Sequence, residues 1–356
     1  MATAEELLRT LARFDPGDAL VLSVYLDMRP NTAGEQPGMR SAQVVLKDRL
    51  REIEKTLLPR GVALDEFRAD AARVRRFFDE HAAPWLVGVA LFACQRHQLF
   101  EVLETGVPFE DQVVLEPVPD LYQLAHVIDE HETAVVALVD TNTARLFVTR
   151  YGILREVGGP DDDTYWYRQR NTGGLNHKRY QRRIENNRMS FAREMAEAIE
   201  ALVAHEGATR VVLAGDAVVI PLLHQAISPQ LEPLISERVL RLDIRAPRDT
   251  VRDEVAPLLE QIEADESHDA AARLLDAVRE QGLGVLGARE TRDALRSGQA
   301  DTVVLATEAP LSAHERNELV HLAAQSSAAV ETVQGHDDLN EAGGVGALLR
   351  YKLAWV

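Results

Sequence analysis

Apolar runs and amphipathic stretches alternate along most of this chain. Residues 19–27, ALVLSVYLD, carry the unbroken apolar run of a buried strand. SAQVVLKDRLREIEKTL (41–57) and DEFRADAARVRRFFDEH (65–81) have helical spacing, and WLVGVALFAC (85–94) and QLFEVLET (98–105) predict two further strands. LEPVPDLYQL, with Pro117 and Pro119, reads as linker or edge structure. TAVVALVDTNTARLFVTRYGILREV predicts a meander of strands, with turn chemistry at Asp140 to Asn142. FAREMAEAIEALVAHEG (191–207) is a helix stopped by glycine, RVVLAGD (210–216) a buried strand, AVVIPLLHQAI a helix and RVLRLDI (238–244) a strand. An acidic helix over 250–282 can bridge two domains. Beyond it come strand, helix, a glycine stop at Gly298 and strand. A helix capped by Ser312 and Glu315, a strand at AAVETV and the closing GGVGALLRYKLAW complete the chain.

At 356 residues the chain exceeds what one hydrophobic core supports. The alternation predicts an α/β protein of α+β type, built as three consecutive α/β sandwich domains over 1–130, 131–262 and 263–356. The first residues, MATAEELLRTLARF, predict a helix opened by a Thr3–Glu6 capping box rather than a signal peptide. No apolar run is long enough to span a bilayer, so a cytoplasmic protein without membrane partners is expected.

One cysteine, Cys94, excludes an intramolecular disulfide and a cysteine-built zinc site, and its apolar surroundings predict a buried thiol. HVIDEHE places His126 and His131 beside Glu130 and Glu132, but the spacing matches no zinc motif, so linker or surface histidines are expected and no metal or cofactor.

Charge changes the picture at one place. The net charge is −18, yet eight of the residues from 168 to 193 are basic and only Glu185 is acidic. The bases are Arg168, Arg170, Lys178 and Arg179, then Arg182, Arg183, Arg188 and Arg193. The first two lie within, and the other six follow, GGPDDDTYWYRQRNTGG, 17 residues without apolar periodicity that predict an exposed loop ending in Gly173 and Gly174. A basic island on an acidic protein points to phosphate contact, although an arginine-rich helical face is also what a solvated surface carries. Tyr165, Trp166 and Tyr167 fit base stacking or a hydrophobic anchor for the root of the loop.

GGLNHKRYQRRIENNRMSFAREMAE resembles, without a gap, the tip loop and following helix of the archaeal and eukaryotic class-one peptide chain release factors. VVLAGD, RVLRLDI, GARETRDALRSGQADTVVLATE and the closing stretch resemble later blocks of that family in the same order. Leu175 stands where the family has the glutamine of its GGQ, and no stop-codon-reading motif is present. The pattern is therefore more similar to bacterial relatives, which include ribosome-rescue peptidyl-tRNA hydrolases and hibernation proteins that have lost the glutamine. The resemblance implies three domains of release-factor type, the last similar to the kink-turn-binding ribosomal proteins. It implies the ribosome as partner through rRNA and tRNA, and leaves open delivery by a translational GTPase.

For the tip it implies Gly173, Gly174, Leu175, Asn176 and His177 as candidate catalytic residues and the eight bases as rRNA and tRNA contacts. Paired glycines allow close approach to a ligand. A backbone N–H supplies an oxyanion donor for ester hydrolysis, and Leu175 can offer only its main chain. Asn176 can orient water, and His177, at the glutamine position of the rescue spacing, can do so too or act as general base. Three readings stay open: a factor that binds the ribosomal A site and hydrolyses peptidyl-tRNA, a non-catalytic A-site occupant, and an RNA- or protein-binding module without ribosome function.

Overall fold

The apolar runs become the inner strands of three four-stranded sheets, with helices laid against them. The computed structural model describes residues 3–29, 39–57, 61–80, 86–141, 143–157 and 177–352. They divide between two compact units, one of Met1–Glu130 with Ile262–Val356 and one of His131–Gln261.

The first unit contains two sheets. In one, β1 (Val21–Asp27) and β2 (Gly88–Cys94) are central, with β3 (Leu99–Thr105) and β4 (Gln112–Glu116) at the edges, all antiparallel. Every residue of β2 is buried, which is why its sequence lacks the alternation of a half-exposed strand. Helices α2 (Met39–Thr56) and α3 (Val62–Glu80) supply Leu46, Leu50, Phe67, Val74 and Phe78 to the core over this sheet. Helix α1 (Ala4–Ala12) opens with the expected capping box: the Thr3 hydroxyl accepts from Glu6 N–H and the Glu6 carboxylate accepts from Thr3 N–H.

LEPVPDLYQL holds more structure than the sequence predicts. It runs off the edge strand β4, turns through the two prolines and enters helix α4 (Tyr122–Glu130). The turn is fixed by β1, where the Tyr25 hydroxyl donates to Asp120 O at 2.6 Å and Ser23 Oγ accepts from Asp120 N–H at 3.0 Å. Buried polar positions facing one another carry no periodic signature in the sequence.

The second sheet of this unit has the order β11-β10-β12-β9. Its strands are β9 (Gly284–Leu286), β10 (Ala300–Ala306), β11 (Ala329–Val333) and β12 (Val345–Leu349), with β10 and β11 parallel. Helix α8 (Ala288–Arg296) ends at Gly298, whose φ of +68° is the left-handed conformation glycine allows. Helix α9 (Ala313–Ser326) opens with the second expected capping box, Ser312 with Glu315.

The second unit is one sheet of order β7-β6-β5-β8. Strands β5 (Ala134–Val139), β6 (Ala144–Arg150) and β7 (Ile153–Val157) form the expected meander, and β8 (Arg210–Gly215) returns parallel to β5. Asp140 N–H donates to Thr143 O at 2.8 Å and its carboxylate accepts from Thr141, while Asn142 lies outside the described residues. Helix α5 (His177–Glu206) lies against this sheet, followed by α6 (Ile220–Ala226).

RVLRLDI does not form a strand. Its alternate burial is that of extended chain, but only Leu240 reaches β8, as a single bridge to Ala214. At its end the chain is held by Arg145, whose Nη1 donates to Ile244 O at 3.0 Å and to Ala246 O at 2.6 Å. Asp243 then turns the chain by accepting from Arg245 N–H at 2.7 Å. Helix α7 (Arg248–Arg279), the expected acidic helix, contributes residues to both units.

Candidate nucleic-acid interface

The basic island begins outside the described residues. Arg168, Arg170, Gly173, Gly174, Leu175 and Asn176 lie there, as do Tyr165, Trp166 and Tyr167. His177, Lys178, Arg179, Arg182 and Arg183 lie in the backbone of α5, in the stretch whose side chains are outside the described set. Arg188 and Arg193 are described in full.

Helix α5 is 30 residues long, about 45 Å at 1.5 Å per residue. Its described side chains anchor it to the sheet. Phe191, Ala192, Met195, Ala196 and Ile199 are buried at the 3.6-residue spacing of one face, against Val135, Ala137 and Val211 of the sheet. Fully burying side chains such as Phe191 and Ile199 contributes about 1.5–3 kcal/mol each. Gly207, at φ +64°, ends the helix, and Ala208 N–H closes back on Val203 O at 3.1 Å. The turn from β8 is equally tight: Gly215 has φ +118°, and a Cβ there would sit 1.9 Å from Val139 O.

Electrostatics separates two groups of arginines in this unit. Arg145 forms a two-pronged pair with Glu156, both contacts at 2.7 Å. Arg150 and Arg155 share Glu206, at 3.3 and 2.8 Å, and Arg210 faces Glu132 at 3.6 Å. These four are tied to carboxylates at the sheet and at the end of α5. Arg188 is half-buried and Arg193 exposed, and neither makes an ion pair or side-chain hydrogen bond with a described residue. Cations without internal partners keep their full Coulombic attraction for an external anion.

Other candidate positions resolve into structural roles. His126 is on α4, where Nδ1 is 2.9 Å from Thr332 Oγ1 and Nε2 is 3.5 Å from Glu130. It is therefore a packed helical residue rather than a linker histidine. Cys94 is buried, and burial pushes its thiol pKa up, away from reactivity. Among the described residues one carboxylate set, Asp129, Glu263 and Glu331, has oxygens within 4.8 Å of one another. Asp129 is committed to Thr332, accepting from its N–H at 2.5 Å and its hydroxyl at 2.7 Å, and burial holds its carboxyl well above the ordinary range. No described helix is long and apolar enough to cross a membrane.

One polar arrangement in the first unit has no local signature in the sequence. Pro119 O accepts from Asn317 Nδ2 at 3.0 Å and contacts His321 Nε2 at 2.8 Å. The partners are about two hundred residues apart, so no short motif marks them.

Residues 119–260, which include all of α5 and the sheet beneath it, match the family described as bacterial archaeo-eukaryotic release factor family 10. No curated protein matches the chain significantly. Among solved structures, the archaeal translation termination factor aRF1 is 14% identical, with 98% of this chain and 99% of that chain covered and a TM-score of 0.28. Archaeal Pelota, in a model of its ribosome-bound form with ABCE1, is 16% identical, with 99% and 95% covered and a TM-score of 0.46. Pelota of Archaeoglobus fulgidus is 14% identical over 75% of this chain and 80% of that one, with a TM-score of 0.36. Over residues 119–260, the unit that carries α5, this chain is thus similar to the bacterial archaeo-eukaryotic release factors.

Proposed function

We propose that the protein is a ribosome-associated translation factor of release-factor type. In this reading α5 is the stalk that carries a glycine tip toward the ribosomal A site. The observation that carries it is the contrast among the arginines. Those around the sheet are paired with Glu132, Glu156 and Glu206, whereas Arg188 and Arg193 on α5 have no described partner. A helix whose described cations have no described partner is suited to phosphate contact.

At the tip, the favoured reading is rescue by hydrolysis of peptidyl-tRNA. A backbone N–H near Leu175 serves as oxyanion donor, and Asn176 or His177 positions the water. The site needs no cofactor. Leucine at the glutamine position of the family supports a second reading, in which the same tip occupies the A site of idle ribosomes without chemistry. Both place the protein in the cytoplasm, with its three domains over 1–130, 131–262 and 263–356.

Purified protein incubated with ribosome–nascent-chain complexes separates the readings. Co-sedimentation with release of peptide is expected for the first, and co-sedimentation without release for the second. Absence of binding to any ribosomal state overturns both and leaves an RNA- or protein-binding module.

A further inference from the structure

Within the unit formed by Met1–Glu130 and Ile262–Val356, a cavity of about 470 Å³ opens between three segments. They are the connection into β4 (108–112), the first turns of α4, and the loop from β10 into α9 (307–316). This volume lies in the range of small-molecule sites.

Its charges are unequal. Its lining includes one guanidinium, Arg316, and three carboxylates, Glu110, Asp111 and Asp120. Arg316 lies over the Tyr122 ring, with Cζ 5.4 Å from the centroid, and Nη2 donates to Ala309 O at 2.8 Å. Nε has no acceptor, and no described carboxylate pairs with the group. A half-buried guanidinium without an anion is an incomplete arrangement.

The carboxylates differ among themselves. Asp120 is internal, accepting from Tyr122 N–H at 3.3 Å and from Gln112 Nε2 at 2.8 Å. Asp111 accepts from Asp27 N–H at 2.8 Å. Glu110 is exposed, and its carboxylate accepts nothing from a described residue. The wall itself is preorganised: Gln123 accepts from Glu110 N–H at 2.9 Å and donates to Gln112 Oε1 at 2.7 Å.

We propose that this cavity binds a free α-amino acid with an apolar side chain. The α-carboxylate completes Arg316, the ammonium is held at Glu110 and Asp111, and the side chain lies on Phe109, Val127 and Leu311. The charge balance selects this class. A nucleotide would bring two or more further negative charges against three carboxylates in a protein of net charge −18. A simple amine would leave Arg316 without its anion.

Calorimetric titration of the full chain with leucine and phenylalanine at millimolar concentration tests this, with leucinamide, isoamylamine and ATP as controls. Saturable binding of at least one amino acid is expected. Leucinamide and isoamylamine should bind at least about tenfold more weakly than leucine, the loss that follows removal of a charge-assisted hydrogen bond. Arg316→Gln should abolish binding. Glu110→Gln, at an exposed position that leaves the fold intact, should weaken it and keeps the test decisive if the first variant unfolds. No binding by either amino acid overturns the proposal, as does equal binding of leucine and leucinamide, tighter binding of ATP, or a Glu110→Gln protein that binds like the parent.

Discussion

The side-chain amide of Asn317 on α9 donates to the carbonyl of Pro119 at 3.0 Å, in the turn that leads into α4. Its other end accepts from Leu121 N–H at 2.8 Å, so one buried amide holds both sides of the turn. Replacing it with leucine strands the Leu121 N–H, and an unsatisfied buried donor costs about 1–3 kcal/mol. Urea unfolding of Asn317→Leu should show a loss of that size. Asn317→Asp keeps the acceptor but sets a carboxylate against the Pro119 carbonyl, so it should lose at least as much at neutral pH. A parent-like midpoint for both variants would show that His321 and the bonds from Tyr25 and Ser23 hold the turn without Asn317.

Asp70 makes stability depend on pH in the less usual direction. Its carboxylate is buried, with Oδ2 accepting from Gln95 N–H at 2.9 Å and Oδ1 unpartnered. Burial is the main cause that pushes its pKa up to about 6, from about 4 in an unfolded chain. The folded state therefore binds the proton more tightly. Asp70's contribution is most favourable below about pH 4, declines as pH rises to about 6 and is constant above, a span of about 2–3 kcal/mol. Asp70→Asn keeps an acceptor for Gln95 and removes the charge. The variant should be the more stable at pH 7.5, with the difference from the parent closing between pH 6 and 4. A difference independent of pH would refute the assignment.

Cys94, at 1% exposure in β2, should resist iodoacetamide in the native state and react once the protein is unfolded in urea. Prompt native alkylation would mean that β2 opens readily.

The apolar runs of β1, β2, β5 and β8 and the capping signals at Thr3, Ser312, Gly207 and Gly298 were legible because local composition and period determine them. RVLRLDI misled because alternation records which residues are half-buried, whereas a ladder also needs successive backbone pairs, and only Leu240 makes them with β8. Helix α4 was obscured by the prolines before it. Of the candidate interface, the sequence displays the basic residues. It cannot display which arginines have acid partners, since Arg155 and Glu206 are 51 positions apart. The cavity at Arg316 depends on still longer separations.

Arg188 and Arg193 have no ion-pair or hydrogen-bond partner among the described residues, so substituting both with glutamine should leave the unfolding midpoint within about 0.5 kcal/mol of the parent. Ribosome co-sedimentation should weaken, and the log–log salt slope should fall by about one for each phosphate no longer neutralised. The same change at Arg145, which is bonded to Glu156 and two carbonyls, should destabilise the fold first. Unchanged binding and slope in the α5 double variant would remove these two residues from the interface.

Chemistry at the tip is decided by three substitutions read for both ribosome binding and peptide release. Gly174→Ala adds a methyl group where, in the proposed mechanism, the chain approaches an ester closely, and a left-handed conformation at that position would cost alanine about 1–2 kcal/mol. Release should be abolished while binding stays near the parent, because the proposed phosphate contacts are at other residues of α5. Leu175→Ala should change little, since only the main-chain amide acts in the proposed mechanism. His177→Ala separates the two ways of handling water. If the imidazole is a general base, release should fall about 10²-fold or more and the parent rate should follow a titration near neutral pH. If release by His177→Ala equals that of the parent, the glutamine spacing of the rescue enzymes does not apply, and Asn176 with the backbone is left to position the water. If the parent binds ribosomes and releases no peptide, the tip is an occupant of the A site and the hydrolytic reading is replaced.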